Sequence, residues 1–328
     1  GTAYLITEDG RGEGFGNPFQ RNFQYNMDLQ VSPESLFEVG ITRAQGNSER
    51  PYAFGRPSGG GGSNAFPCKS YGQSRMHASF YYGDYDPKDL RRDVTVAVTA
   101  NSGSASEVLV DFTPGSRNKG GLPNNKWDES RMSNPWTARQ RQSGVNWPQM
   151  RMADVILMLA EVYAELGDES AAKAQLTKVR SRAFLAEDQA EKVTGYLSAL
   201  SGDALKEAIQ QERKLELAGE GIRRYDLVRT GMLPEKAKEI RDQQKAMVEG
   251  LKNDGYYTFD NGNTISNYVY LKAVNVADLG MSDMLTTQFE YDMDENDPTY
   301  AVKFPGWRGN CDLWTSEGFT PSTGERNL

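Results

Sequence analysis

The sequence predicts a mainly helical fold with irregular loops and short strands, and three observations carry that reading. Apolar residues recur at helical spacing between Gln149 and Leu166 (Met152, Val155, Ile156, Leu159, Val162, Tyr163, Leu166) and again between Glu169 and Ala183 (Ala172, Leu176, Val179). Short runs of alternating apolar and polar residues elsewhere read as strands. The 33 glycines and 14 prolines imply long irregular stretches, which excludes a plain helix bundle.

Taken in order, residues 1–147 read as a loop-rich region with short strands, the part expected to face a ligand. Gly10, Gly12, Gly14 and Gly16 alternate with polar residues, but no Lys-Ser/Thr and no helix pattern follow, so they do not cradle phosphate. Ser35 to Ile41 alternates as a strand. Ser58 to Ser63 is a Ser-Gly-Gly-Gly-Gly-Ser loop that cannot pack a core. Arg92 to Val98 and Glu107 to Phe112 are two more strand-like runs, joined by a turn around Asn101-Ser102-Gly103. The helices at 149–166 and 169–183, separated by Gly167-Asp168, form one unit of a tetratricopeptide-like repeat. A single unit cannot bury both of its faces, so further repeats are expected upstream. A third helix starts near Asp203 as N-cap and runs to Gly219 or Gly221. A fourth, strongly charged, spans Pro234 to Lys252. The helical scaffold thus occupies 148–252, residues 253–328 return to loops and short strands, and all three stretches belong to one domain.

Composition removes several functions. The chain has 328 residues, with 37 Lys and Arg against 45 Asp and Glu, a net charge of −8. Such a surface has no general attraction for nucleic acid or anionic membranes. One histidine, His77, excludes a multi-histidine metal centre and weakens any triad. Cys68 and Cys311 can form one long-range disulfide or stay as thiols, and they cannot build an all-cysteine zinc site. No apolar run is long enough to span a bilayer as a helix. No cofactor is indicated.

Several segments carry a family resemblance. Glu34 to Val39 (Glu-Ser-Leu-Phe-Glu-Val) resembles an E-S-I/L-F-E-I/V strand, and Asp86 to Val96 a D-x-R-R-D-x-T segment. Arg151 to Glu161 resembles R-Y-A-D-V-L-L-M-Y-A-E, and Val179 to Ala183 resembles V-R-x-R-A. Glu212 to Gly231 resembles E-R-R-x-E-L-A-F-E-G-x-R-x-x-D-L-V-R-T-G almost throughout. In this order they resemble the SusD/RagB outer-membrane nutrient-binding lipoproteins. The resemblance implies a SusD-like scaffold and non-catalytic binding of an oligosaccharide at the bacterial cell surface, delivered to a SusC-like TonB-dependent transporter. It also implies an N-terminal segment with the remaining repeat helices and a lipidated cysteine that anchors the protein to the outer membrane. Neither Cys68 nor Cys311 sits in a lipobox, and the family's C-terminal N-P-x-x-x-Q-N signature is absent.

The Glu212/Glu216/Glu220 ladder invites a glycosidase reading, because glycoside hydrolysis uses paired carboxylates. The three lie four apart among Arg213, Arg223, Asp226 and Arg229, and that set reads as a structural ion network locking the helix end onto the next segment. Asp292, Asp294 and Asn296 begin a calcium-loop pattern, but Asp297 replaces the required glycine and Lys303 the bidentate glutamate, so no metal is expected. The aromatics are more informative. Trp127 and Trp136 lie in a polar, non-periodic stretch, and Tyr81 and Tyr82 precede the Asp86 segment. Flat rings in loops stack on the C–H faces of sugars, which makes these four the predicted platform. Trp147, Tyr163 and Tyr225 read as structural. Peptide binding of the RagB type is the alternative function, and a glycosidase a more distant one.

Overall fold

The computed structural model describes residues 2–7, 18–24, 31–42, 44, 53–55, 70–77, 79–96, 99–100, 108–109, 122–127, 142–254, 256–266, 270–271 and 291–292. Its helices are α1 (Arg21–Gln24), α2 (Arg92–Thr95), α3 (Met152–Glu165), α4 (Glu169–Ser181), α5 (Tyr196–Ser198), α6 (Gly202–Leu217), α7 (Arg223–Arg229) and α8 (Leu233–Asn253), with π-helical turns at Phe80–Asp84 and Ala190–Gly195. The strands are β1 (Ser35–Val39), β2 (Arg75–Met76), β3 (Thr99–Ala100), β4 (Val108–Leu109), β5 (Leu122–Pro123), β6 (Trp147–Arg151), β7 (Tyr256–Thr258), β8 (Thr264–Ser266), β9 (Tyr270–Leu271) and β10 (Tyr291–Asp292). Among the described residues they pair only as two-stranded antiparallel ribbons: β1 with β6, β2 with β5, β3 with β4, β7 with β8 and β9 with β10. The fold is mainly helical, as the periodicity predicts.

Helices α3 and α4 form the expected hairpin. Gly167, at φ +80°, ends α3 in a conformation that glycine adopts without strain. Asp168 then caps α4, its side chain accepting from the Ala171 amide at 3.0 Å. Four alanines, Ala153, Ala160, Ala164 and Ala172, let the helices approach closely around Leu157, Leu176 and Val179, and α6 closes the layer with Leu205 and Ile209. A second, aromatic core joins Phe19, Phe23, Val94, Trp127 and Val145 beneath the loops.

Several expectations are corrected by tertiary structure. The first helix starts at Met152 rather than Gln149, because Trp147 to Arg151 pair with β1, Val39 opposite Trp147 and Ser35 opposite Arg151. Arg92 to Thr95 is helical, not extended. Asp89 turns the chain there by accepting from the Arg91 amide at 2.9 Å, and Val94 is drawn into the aromatic core, so packing overrides the β-branched pattern. Beyond it Thr99–Ala100 of β3, past the expected 92–98 strand, pairs with Val108–Leu109 of β4, inside the expected 107–112 strand. Asp203 lies in the first turn of α6 and is not its cap. Ser201 takes the N-cap position without a side-chain bond, and Glu169 accepts from the Gly202 amide instead, at 2.7 Å. Tyr225 is 73% exposed, because α7 buries Asp226 and Leu227 on its inner face. Tyr163 packs partly buried against the helical core.

Two apolar surfaces stay open among the described residues. On α3, Met158, Leu159, Val162 and the adjoining Leu166 make an outward stripe, with Tyr225 and Val228 of α7 also exposed. On the β1–β6 ribbon, Phe37, Val39, Trp147 and Met150 are exposed.

Gly219 follows α6 at φ +77°, and a Cβ there would collide with the Asn124 side chain, whose Nδ2 donates to the Gly219 carbonyl at 3.0 Å. Gly221 has φ +91° with open space around its missing Cβ. Both Gly219→Ala and Gly221→Ala strain the backbone, at roughly 1–3 kcal/mol each. Gly219→Ala must in addition displace the 122–127 strap, so urea unfolding is expected to show the larger loss for Gly219→Ala.

Candidate functional site

The carboxylates of the α6 segment are taken up by a buried charge network. Glu216 is fully buried and accepts from three guanidiniums: Arg151 at 2.6 Å, Arg182 at 2.5 Å and Arg91 at 3.1 Å. Arg151, at the root of β6, also reaches Glu34 at 2.8 Å and Glu220 at 2.8 Å. Arg182, just past α4, also pairs with Glu34 at 2.5 Å and donates to the Ile6 carbonyl at 3.0 Å. Arg91 grips Asp89 at 2.7 Å and Glu212 at 2.6 Å, and Arg180 takes the other Glu212 oxygen at 2.7 Å. Lys126 closes the set, donating to Glu220 at 2.7 Å and to the Glu216 carbonyl at 2.9 Å, with its ammonium over the Phe19 and Phe23 rings. Five cations (Arg91, Arg151, Arg180, Arg182, Lys126) thus face five anions (Glu34, Asp89, Glu212, Glu216, Glu220).

A second cluster holds Arg213, Asp226 and Arg229 of the residues grouped by spacing. Arg213 pairs with Asp226 at 2.9 Å and with Asp154 of α3 at 2.8 Å, while Arg229 reaches Asp226 at 2.9 Å and grips Glu161 through both of its terminal nitrogens. Two details differ from the sequence reading. Glu220 does not continue the helix face, because α6 ends at Leu217 and Gly219 turns the chain; Arg151 and Lys126 nonetheless reach it. Arg223 donates to the Gln210 carbonyl at 3.3 Å rather than to a carboxylate among the described residues.

The electrostatics follow from this geometry. Burial opposes ionisation of Glu216, and the guanidiniums of Arg182, Arg151 and Arg91 outweigh it, holding the carboxyl well below the usual carboxylate range. The same balance lowers Glu34 and Glu220. Asp89 goes the other way, burial lifting it despite Arg91. Burial pulls Lys126 down to about 8. Burial and the charge of Lys214 hold the His77 imidazole below its ordinary value. A general acid for glycoside cleavage needs a carboxyl raised toward neutrality, and Glu34, Glu216 and Glu220 are shifted oppositely. Among the described residues no group of His, Cys, Asp or Glu is arranged to hold a metal ion.

The rings predicted as a platform separate. Trp127 is 2% exposed, meets Phe23 edge-on at 5.5 Å and directs its indole N–H to the Gly219 carbonyl at 3.4 Å. It is a core plug, which removes it as a stacking surface. Tyr81 is 3% exposed and donates its hydroxyl to Asp93 at 2.6 Å, so it too is closed to a ligand. Tyr82, next on the π-helical turn, is half-buried, stacked on Phe259 at 6.4 Å and edge-on to Tyr81 at 4.8 Å. Trp136, Cys68, Cys311, Asp294 and Asn296 lie outside the described residues, and Asp292 is described only as backbone in β10.

Comparison with known proteins decides the family. A family model described as the SusD family matches residues 33–291, well over half of the chain. The chain belongs to the SusD family. It is 43% identical over 90 residues to the SusD-like protein P25 of Formosa agariphila, a match covering 27% of this chain and 16% of that protein. It is 29% identical over 160 residues to the SusD-like protein P2 of the same organism, covering 45% of this chain and 29% of that one. A solved SusD homologue from Bacteroides thetaiotaomicron superposes with a TM-score of 0.54 at 21% identity, over 69% of this chain and 46% of its own. The matches therefore span less than half of each of these relatives.

Within this SusD-family chain, sequence reasoning missed Arg91, Arg151, Arg180, Arg182 and Lys126 as partners of the ladder, and Glu34 as a carboxylate sharing Arg151 and Arg182 with Glu216. They come from segments scattered between positions 34 and 182, and short-range spacing carries no signal for them. The signal available was the arginine-rich motif segments themselves, Arg91-Arg92-Asp93 and Val179 to Ala183.

Removing one member of the network leaves buried charge uncompensated, so Glu216→Gln should cost about 3–5 kcal/mol. Arg223→Ala should cost under about 1 kcal/mol, because it breaks one hydrogen bond to a carbonyl. Glu34, Glu216 and Glu220 have folded values below their ordinary 4.5, so their contribution is fully present above that pH and is lost as pH falls through the folded values. Denaturant titrations at pH 7, 4 and 3 should show stability falling in the wild type and falling less in Glu216→Gln.

Proposed function

We propose that this chain is part of a cell-surface protein that binds oligosaccharide without cleaving it and passes it to a SusC-like TonB-dependent transporter. Membership of the SusD family carries the reading. Two physical features support it. The carboxylates that could suggest hydrolysis are neutralised by guanidiniums in a buried core, where they cannot reach a glycosidic bond. The loop-rich layer offers a half-exposed ring, Tyr82, on a braced turn, and Trp136 is the further candidate from the sequence.

We further propose that preceding repeat helices of the same polypeptide cover the open α3 stripe, and that a lipidated cysteine upstream anchors the protein to the outer membrane. Apolar side chains in helical register, with Leu166 77% exposed, are the surface a neighbouring repeat would bury. Val162→Glu with Leu166→Glu should then reduce dye binding by exposed apolar surface in the 328-residue chain while leaving its melting temperature unchanged. In a version extended upstream by the native sequence, the same pair should lower the melting temperature. Equal melting temperatures of mutant and wild type in the extended version would sink the idea.

The binding reading is tested by retarded migration in gels containing laminarin, starch or xylan, and by titration calorimetry. Tyr82→Ala and Trp136→Ala should each weaken binding by roughly 1–3 kcal/mol, the scale of one lost aromatic contact at a hot spot, with the fold intact. Affinity for a neutral glycan should change little with salt. Binding of peptides alone moves the assignment to the RagB-type alternative, and release of reducing sugar overturns the non-catalytic reading.

A further inference from the structure

The β7–β8 hairpin folds back from the end of α8 onto the π-helical turn that carries Tyr82, about 180 residues earlier in sequence. Asn261 Nδ2 donates to the Tyr82 carbonyl at 2.9 Å and to the Tyr85 carbonyl at 3.2 Å, and Asn263 Nδ2 donates to the same Tyr82 carbonyl at 2.8 Å. The Asn261 Oδ1 accepts from the Asn263 backbone N–H at 3.0 Å, which orients the Asn261 side chain. The end of a helical turn leaves carbonyls without partners in the turn, and here two side-chain amides from a distant element supply them.

The ring is held as well as the backbone. Phe259, buried at the hairpin tip, lies within 11° of parallel to Tyr82 and meets Tyr257 edge-on at 4.9 Å. Gly83 makes room for this approach, since a Cβ there would stand 2.7 Å from Phe259 Cδ1. Gln244 of α8 adds a further tie, donating to Ser79 Oγ at 2.9 Å just before the turn. The tip residues Asp260 and Asn261 remain exposed beside this row of rings. A ring partly open to solvent, braced by a second ring and with the exposed Asp260 carboxylate on the adjoining hairpin tip close enough to Tyr257 to act on its hydroxyl, has the chemistry that sugar recognition uses: an apolar face and a polar group for hydroxyls.

We propose that the β7–β8 hairpin is the positioning element for Tyr82 and that its tip forms one glycan subsite with that ring, Tyr82 stacking on a pyranose face and Asp260 meeting its hydroxyls. This rests on the glycan-binding reading. Asn263 and Phe259 act through Tyr82 and are positioning residues; Asp260 is a contact residue.

Two readouts separate the inference from the reading beneath it. Nitration of Tyr82 by tetranitromethane, followed by peptide mass spectrometry, reports how the ring is held with no glycan present. Calorimetry with laminarin, starch and xylan reports binding. Asn261→Ala/Asn263→Ala and, as a second route to the same displacement, Gly83→Ala should raise Tyr82 nitration and raise the Kd about tenfold, with the melting temperature of the helical scaffold unchanged. Asp260→Ala should weaken binding without altering nitration. The bound glycan should protect Tyr82 from nitration in the wild type. If both hairpin variants leave nitration and affinity at wild-type values while the wild type binds glycan, the positioning role is overturned and the glycan reading stands. If Asp260→Ala binds normally and glycan fails to protect Tyr82, the subsite is overturned. If the wild type binds none of the three glycans, the subsite falls with the glycan reading, and nitration of the variants still decides the positioning role.

Discussion

The fold depends on one buried carboxylate. Glu216 sits in α6 with no exposure to water and three arginines around it, each from a different part of the chain: Arg91 beside the loop layer, Arg151 at the root of the β1–β6 ribbon and Arg182 at the end of the helical hairpin. An ionised carboxylate in such a place is tolerable only because every side of it is occupied by a matched donor. The same requirement runs outward. Each arginine has donors left over, and Glu34, Glu212, Glu220, Asp89 and the Ile6 carbonyl take up most of them, the buried Arg182 Nε staying without a hydrogen-bond partner among the described residues. A network of this kind adds little net stability over well-packed apolar side chains, since desolvation offsets most of the attraction. What it does impose is geometry. Planar guanidiniums accept a narrow range of orientations, so the loop layer, the ribbon and the hairpin can meet in few arrangements other than the observed one.

That constraint explains where local sequence signals succeed and where they fail. The helical hairpin was legible because its periodicity and its Gly-Asp stop act within a few residues, and local chemistry decides them. The segment Arg92 to Thr95 was not, because its conformation is set by Asp89 turning the chain and by Val94 packing on Phe23 and Trp127, contacts that no window of neighbouring residues contains. The ladder of Glu212, Glu216 and Glu220 was readable as structural from its charged neighbours, yet its partners lie between positions 91 and 182. Ion pairs between distant segments leave no periodic trace. Trp127 shows the same limit from the other side. A tryptophan in a polar, non-periodic stretch reads as a candidate stacking ring, but the stretch is a strap pressed onto the helix end by Lys126, Asn124 and the missing side chain of Gly219.

The burial of Lys126 makes the strap informative. An ammonium removed from water is costly, and here it faces a carboxylate, a carbonyl and two aromatic rings. The residue therefore belongs to the same cluster as the arginines and carries the network from the helical scaffold into the loops. From the strap, β5 pairs with β2, and β2 leads directly into the turn that bears Tyr81 and Tyr82. The surface on which recognition is proposed is thus tied to the charge core through a short covalent path on one side and through the hairpin of Asn261 and Asn263 on the other.

Tyr81 and Tyr82 show how this scaffold divides labour between adjacent residues. They are neighbours in a π-helical turn, and successive residues of a helical turn point their side chains roughly a quarter-turn apart. Tyr81 goes inward. Its hydroxyl donates to Asp93, Arg92 lies over its ring at 4.7 Å, and burial, followed by the charge of Asp93, pushes the hydroxyl well above its ordinary value, so it remains a neutral donor. Tyr82 goes to the boundary, with one flank against Tyr81 and one against Phe259. The buried ring fixes the direction of the half-buried one. A binding surface needs side chains that have already lost their rotamer freedom before the ligand arrives, because freezing a rotamer-rich side chain at the moment of binding costs about 0.5–1.5 kcal/mol. At the proposed Tyr82 subsite that loss is taken during folding, through the ring contacts with Tyr81 and Phe259.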